Sequence, residues 1–281
     1  MLKKISLLLI LVGLISTTNA QIKTPQSSPL SKIEQTVGLT NVTLEYSRPS
    51  IRERVVFGNL VPFGQLWRTG ANANTKITFS DNVIIDGQEL KKGTYAIYTI
   101  PYEKTWNVMF YNDATNWGNP QKWDDTKVAA KTTVAVQPLN MKVETFTISF
   151  DDLKNGSAVL GISWENVYVG VKFEVPTDKT ALKSIESVMA GPSKSDYFQA
   201  ATYYHTEGKD LKQALTWIKK ATEGNDPAFW YLRRMSLIQA DLGDKAGAIA
   251  TAKLSLAGAE KANNADYVKM NKESIAEWSK K

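Results

Sequence analysis

The sequence predicts an α+β multidomain chain: an antiparallel β-sandwich or flattened barrel, then an α-helical array of tetratricopeptide-like hairpins. Two observations carry the first part of that reading. Apolar residues recur every second position from about residue 32 to 175, and at helical spacing after that. The period switches once, at PTDKT, 176–180.

The first twenty residues read as a secretory signal. MLKK is positive, ISLLLILVGLI is apolar and STTNA ends in small residues, so cleavage is expected after Ala20. The apolar run is too short to span a bilayer. The chain has no cysteine, which removes a lipid-modified cysteine, disulfides and thiolate metal sites. The net charge is +6. Without Lys3 and Lys4, 32 basic residues face 28 acidic ones, a balance of +4. The basic residues are dispersed, so no nucleic-acid partner is expected. The expected location is the periplasm or the exterior, with no membrane span after cleavage.

Residues 21–31 read as a flexible lead-in, and 32–176 as the β domain. Val42, Leu44 and Tyr46 alternate with Thr43, Glu45 and Ser47. Trp106, Val108 and Phe110 repeat the pattern, as do Phe146, Ile148 and Phe150, and then Val167 to Val175. Such alternation marks strands with one buried face. Turns are expected at Asp86-Gly87, Lys92-Gly93, Asn155-Gly156 and Glu165-Asn166. About nine or ten closely spaced strands favour antiparallel pairing in two packed sheets.

Residues 177–281 form the helical part. Leu211, Ala214, Leu215, Ile218 and Ala221 make one stripe; Tyr231, Met235, Ile238 and Leu242 make another. Breaks at GPS, EGKD, EGNDP and GD cut this half into five or six helices. Ala201, Tyr204, Gly208, Ala214, Ala221 and Pro227 resemble a tetratricopeptide frame, and Ala248 follows Ala214 at the 34-residue period. The last helix, Ala265 to Trp278, is expected to cap the array.

Four stretches resemble one family. YSRP at 46–49, FGNLVPFGQLWRTGANANT at 57–75, GTYAIYTIP at 93–101 and TWNVMFYN at 105–112 are similar to domain-of-unknown-function family DUF2911. The resemblance covers roughly residues 25 to 175. It implies an exported bacterial β domain of the Bacteroidetes type, sometimes with a helical tail, and no established activity.

The residues Tyr46–Thr75 carry the candidate site. Arg68 follows Trp67, so the two point to opposite faces of any shared strand. An arginine offers five donors in a planar fork. In one reading Arg48 and Arg68 brace this long loop by bonding carbonyls or a carboxylate such as Glu45 or Asp81. In the other, Arg48, Arg68, Asn72 and Asn74 line an anion or sugar site, with Trp117 and Trp123 of the polar loop NDATNWGNPQKWDD as stacking surfaces. Trp106 and Trp164 lie on apolar strand faces and belong to the core.

The remaining chemistry is sparse. His205 is the only histidine. It stands in a helix as surface or partly buried filler, and no HExxH, phosphate loop or EF-hand run is present. No metal or cofactor is expected. Asp124-Asp125 and Asp151-Asp152 read as turn residues, although a two-carboxylate hydrolase acting on cell-surface carbohydrate or peptide stays open. The leading expectation is a non-enzymatic module that binds a small polar or glycan ligand and offers its helices to a protein partner.

Overall fold

The computed structural model describes residues 24–189 and 191–280. The expected signal segment and the expected start at Gln21 lie outside them. The chain divides after Thr177 into two units.

The first unit consists of two antiparallel sheets. One holds β1 (Leu30–Val37), β2 (Thr40–Ser47), β3 (Ala71–Phe79), β6 (Gly93–Pro101), β7 (Thr105–Tyr111) and β8 (Val128–Ala135), in the order β1-β2-β3-β6-β7-β8. The other holds β4 (Val83–Ile85), β5 (Gln88–Leu90), β9 (Gln137–Asp151) and β10 (Ser157–Glu174), in the order β5-β4-β10-β9. Neither closes on itself, so of the two expected forms the sandwich is the one realised. The alternating residues fill one core: Val42, Leu44 and Tyr46 from β2 meet Phe146 and Ile148 from β9 and Val169, Val171 and Phe173 from β10.

The turn signals act locally. Asp86 and Gly87 take φ of 49° and 73° and join β4 to β5 as a two-residue hairpin. Glu165-Asn166 departs from expectation. Glu165 has φ of 55°, yet β10 runs on through it, and the pairing with β9 shifts register on both sides. A single left-handed residue opposite a partner strand makes a bulge, which bends the ladder without reversing it.

The free edge of β9 is sealed by the segment that follows β2. The Tyr46 hydroxyl donates to the Ile148 carbonyl at 3.1 Å and accepts from the Ile148 amide at 3.0 Å. The Phe146 amide donates to the Pro49 carbonyl at 2.8 Å, and the Ile51 amide to the Glu144 carbonyl at 2.9 Å. Arg48 Nε donates to the Phe146 carbonyl at 3.0 Å. Alternate backbone groups of the edge strand are thus taken one after another, which meets the need of a sheet edge for partners.

The second unit consists of six helices: α1 (Thr177–Val188, whose first residue ends the first unit), α2 (Lys194–Thr206), α3 (Leu211–Ala221), α4 (Phe229–Asp241), α5 (Lys245–Lys261) and α6 (Ala265–Trp278). Side-chain caps start four of them, at Ser193, Asp210, Asp244 and Asn264. The two expected stripes meet: Ala214, Ile218 and Ala221 of α3 bury against Ile238 of α4, with Tyr231 and Met235 alongside. His205 is nearly buried. Its Nε2 lies 2.8 Å from an Asp241 oxygen and its Nδ1 2.9 Å from Arg234 Nη1. Both ring nitrogens thus have a hydrogen-bond partner.

Tyr46→Phe isolates the edge seal. It strips both the amide and the carbonyl of Ile148 of a buried partner, so it should cost about 2–4 kcal/mol. Urea denaturation checks this; a variant as stable as the parent contradicts the role given to the hydroxyl.

Candidate ligand-binding site

Apolar burial and the Arg54 fork, which donates to the Ile51 and Ser50 carbonyls, together hold the long connection between β2 and β3. Ile51, Val56 and Val61 are buried within it. Its amides close short turns, Gly58 onto the Val61 carbonyl at 2.9 Å and Val61 onto the Val56 carbonyl at 2.8 Å. Phe57 packs edge-on to Trp67, Trp106 and Trp164. Trp67 stacks on Trp164 at 5.9 Å, and its backbone exchanges hydrogen bonds with Thr99 at 2.8 and 2.9 Å. That pairing adds Trp67 to the flank of β6 and turns its indole into the core. Trp106 and Trp164 are buried there as expected.

Arg68, the next residue, lies on the other side. β6 and β7 are covered on both faces: Tyr95, Ile97, Val108 and Phe110 face the core, while Ala96, Tyr98, Met109 and Tyr111 form a second cluster with Leu66 and Trp123. The loop 112–127 lies over that second cluster. Trp123 stacks on Tyr111 at 4.6 Å and donates from Nε1 to Asp125 at 2.8 Å. The Tyr98 hydroxyl donates to the Gly118 carbonyl at 3.1 Å. Burial pushes the Tyr98 phenol above its ordinary pKa and keeps it a neutral donor. Asn119 donates to the Leu66 carbonyl at 2.8 Å. Asn74 is buried beneath the loop; in the amide orientation its neighbours dictate, it donates to the carbonyls of Asn116 at 3.1 Å and Ala114 at 3.3 Å.

The loop also folds on itself. Thr115 donates through its hydroxyl and its amide to one oxygen of Asp113, and Lys127 pairs with the other at 3.0 Å. These contacts, led by the Thr115 hydroxyl, lower the Asp113 pKa from 3.8 to about 2. Asp124 accepts from the Thr126 amide and hydroxyl, and Asp152 has φ of 47°, so both act as turn residues.

The six candidate residues therefore separate. Arg48 is a brace, but onto β9: its fork reaches the Phe146 carbonyl and the Thr147 hydroxyl, at 3.0 and 2.8 Å, and touches neither Glu45 nor Asp81. Arg68 makes no hydrogen bond or ion pair among the described residues, and its Nε is buried without a partner. Its guanidinium lies against Gly118, where a Cβ would stand 3.2 Å from Nη1. Asn74 and Trp123 are engaged in holding the loop. Asn72, with φ of 58°, donates to the Ser28 carbonyl at 3.1 Å. Asn72 and Trp117 share a groove of about 550 Å³, lined also by Ser28, Leu30, Ser47 and Ala73. The Trp117 side chain is largely exposed. Tyr98, Asn116, Gly118 and Asn119 were not singled out in the sequence. The glycine directly after Trp117 in a polar loop was the one signal for them.

A second polar groove, about 670 Å³, takes Asp86 and Asp125 together with Gln88, Asn107 and Lys131. Asp86 accepts from the Thr132 hydroxyl at 2.9 Å, and Asp125 from the Trp123 indole. No group of three or more metal-ligating side chains occurs among the described residues.

A family model described as "Protein of unknown function (DUF2911)" matches residues 28–173. No curated protein and no solved structure matches.

The two arginines should respond oppositely to truncation. Arg48→Ala leaves the Phe146 carbonyl short of a donor and should cost about 1–2 kcal/mol. Arg68→Met removes an unpaired charge and keeps most of the stem, so its melting temperature should equal or exceed the parent's. A drop of several degrees in Arg68→Met would restore the brace.

Asp113 supplies a pH test. A carboxyl whose folded pKa is depressed holds its contacts above the ordinary carboxylate range and loses them as pH falls towards about 2. Thr115→Val should raise the Asp113 pKa back towards 3.8. Carboxyl chemical shifts followed by NMR report this directly, and an unmoved titration refutes the attribution.

Proposed function

We propose, from the premise that this chain belongs to the DUF2911 family of proteins of unknown function, that it is an exported, non-enzymatic binding module. Its β unit takes a small polar or glycan ligand, and its helices offer a surface to a protein partner. The observation that supports the ligand most directly is the groove shared by Asn72 and Trp117. An exposed indole beside amide and hydroxyl groups suits a sugar ring, whose faces are apolar and whose rim is polar. Export rests on the order of charge, apolar run and small residues in 1–20. An N-terminus at Gln21 in the exported protein, read by mass spectrometry, checks it.

The alternative is a hydrolase working through a carboxylate pair. Its motive is the groove holding Asp86 and Asp125. Both carboxylates are already hydrogen-bonded to neighbouring side chains.

One experiment addresses both readings. A panel of neutral and acidic oligosaccharides is titrated against the protein by calorimetry, and each mixture is assayed for new reducing ends. The binding reading expects saturable heat without cleavage, and a loss of roughly five- to tenfold in affinity for Trp117→Ala. Cleavage that disappears in Asp125→Asn would instead establish the hydrolase. A panel that neither binds nor is cut sinks the glycan reading.

A further inference from the structure

The β unit contains four arginines in the Tyr46–Thr75 segment, and three are satisfied. Arg48 donates to β9, Arg52 to the Ser27 carbonyl, and Arg54 to the carbonyls of Ile51 and Ser50. Arg68 differs from them in having no partner among the described residues, while its Nε is closed off from water. A guanidinium is always charged, so such a position leaves a strong donor unanswered. The acids of the overlying loop do not answer it. Asp113 is held by Thr115 and Lys127, Asp124 by Thr126, and Asp125 by Trp123.

The backbone of Gly118 lies against the guanidinium. Gly118, with φ of 83°, presses against Nη1 and turns its carbonyl away, to the Tyr98 hydroxyl. A residue with a side chain would meet both the strained φ and the contact at Nη1. Trp123 anchors the far end of the loop against Tyr98 and Tyr111, and a few polar bonds hold the Gly118 end: Tyr98 to Gly118, Asn119 to the Leu66 carbonyl, and Asn74 to the loop carbonyls. Water or a polar ligand can replace each of these. Trp117, the residue before Gly118 in the cover, lines the Asn72 groove with its indole.

We propose that Arg68 is an anion receptor beneath a movable Trp117–Gly118 cover, and that the ligand is a saccharide bearing an oxyanion. A sugar ring seated against the Trp117 indole draws the cover aside, and its carboxylate or phosphate pairs with the Arg68 fork. Two oxygens on one centre match that fork, which a neutral hydroxyl does not. This inference rests on the groove reading above and adds the ligand's charge to it.

The test uses the full mature chain and calorimetric titration with three probes: a hexuronic-acid trisaccharide, the neutral hexose trisaccharide of the same linkage, and a hexose 6-phosphate. The parent should prefer an acidic probe over the neutral one by about tenfold or more, the range of a charge-assisted hydrogen bond. Which acidic probe binds better identifies the oxyanion. In Arg68→Met the acidic-to-neutral ratio should fall to about one, and in Arg68→Lys it should be partly retained. Trp117→Ala should weaken all probes together. Melting curves confirm that each variant folds. Equal affinity for acidic and neutral probes in the parent, or a ratio untouched by Arg68→Met, overturns the anion receptor and leaves the groove reading standing. An absence of binding by every probe overturns both.

Discussion

The outer edge of β9 is the constraint on which the β unit depends. A sandwich of two open sheets has exposed edges, and an edge strand with unpaired amides and carbonyls invites association with other chains. Here Tyr46, Arg48, Pro49 and Ile51 close that edge from the end of β2. The four residues use four different groups for it: a phenol, a guanidinium, a carbonyl and an amide. Because β2 lies in the other sheet, the same bonds tie the two sheets together and set the starting direction of the connection to β3.

That connection then does two things with adjacent residues. Pairing with Thr99 fixes the backbone of Trp67, and strand geometry sends neighbouring side chains to opposite faces. Trp67 joins Phe57, Trp106, Phe146 and Trp164 in an aromatic core whose rings meet mostly edge to face. Arg68 is carried to the outer side of the six-stranded sheet. The register that buries the tryptophan therefore places the arginine, and the apolar core supplies the stability on which an unsatisfied charge can stand.

The outer loop explains why an unpaired arginine persists there. GTYAIYTIP has apolar residues on both faces of β6, and loop 112–127 covers the second face with Trp123 and polar bonds. Those bonds are spent on Tyr98, Asn74 and Leu66, and Gly118 lies against Nη1. The loop is packed enough to exclude water from Nε and too sparing in acceptors to satisfy it. One cluster in the helical unit presents the opposite case. His205, Asp241 and Arg234 satisfy one another, and residues of similar chemistry there form a structural link with no free donor or acceptor on the imidazole.

By itself the sequence determined the features that depend on near neighbours. Period two marked the strands, the hairpin at Asp86-Gly87 followed from residues that tolerate positive φ, and helical stripes with the breaks between them marked the second unit. WRTGANANT drew attention to the stretch that holds Trp67 and Arg68, and one histidine with no cysteine narrowed the chemistry. Glu165 shows where local signals run out: its turn-like backbone makes a bulge because β9 lies alongside. Only the tertiary structure decided which arginine braces and which is left free. Arg48 finds its acceptor 98 residues away, while Arg68 meets the bare backbone of Gly118. Alternation reports the face of a strand. The hydrogen-bond partner on that face is set by chain segments that periodicity does not relate.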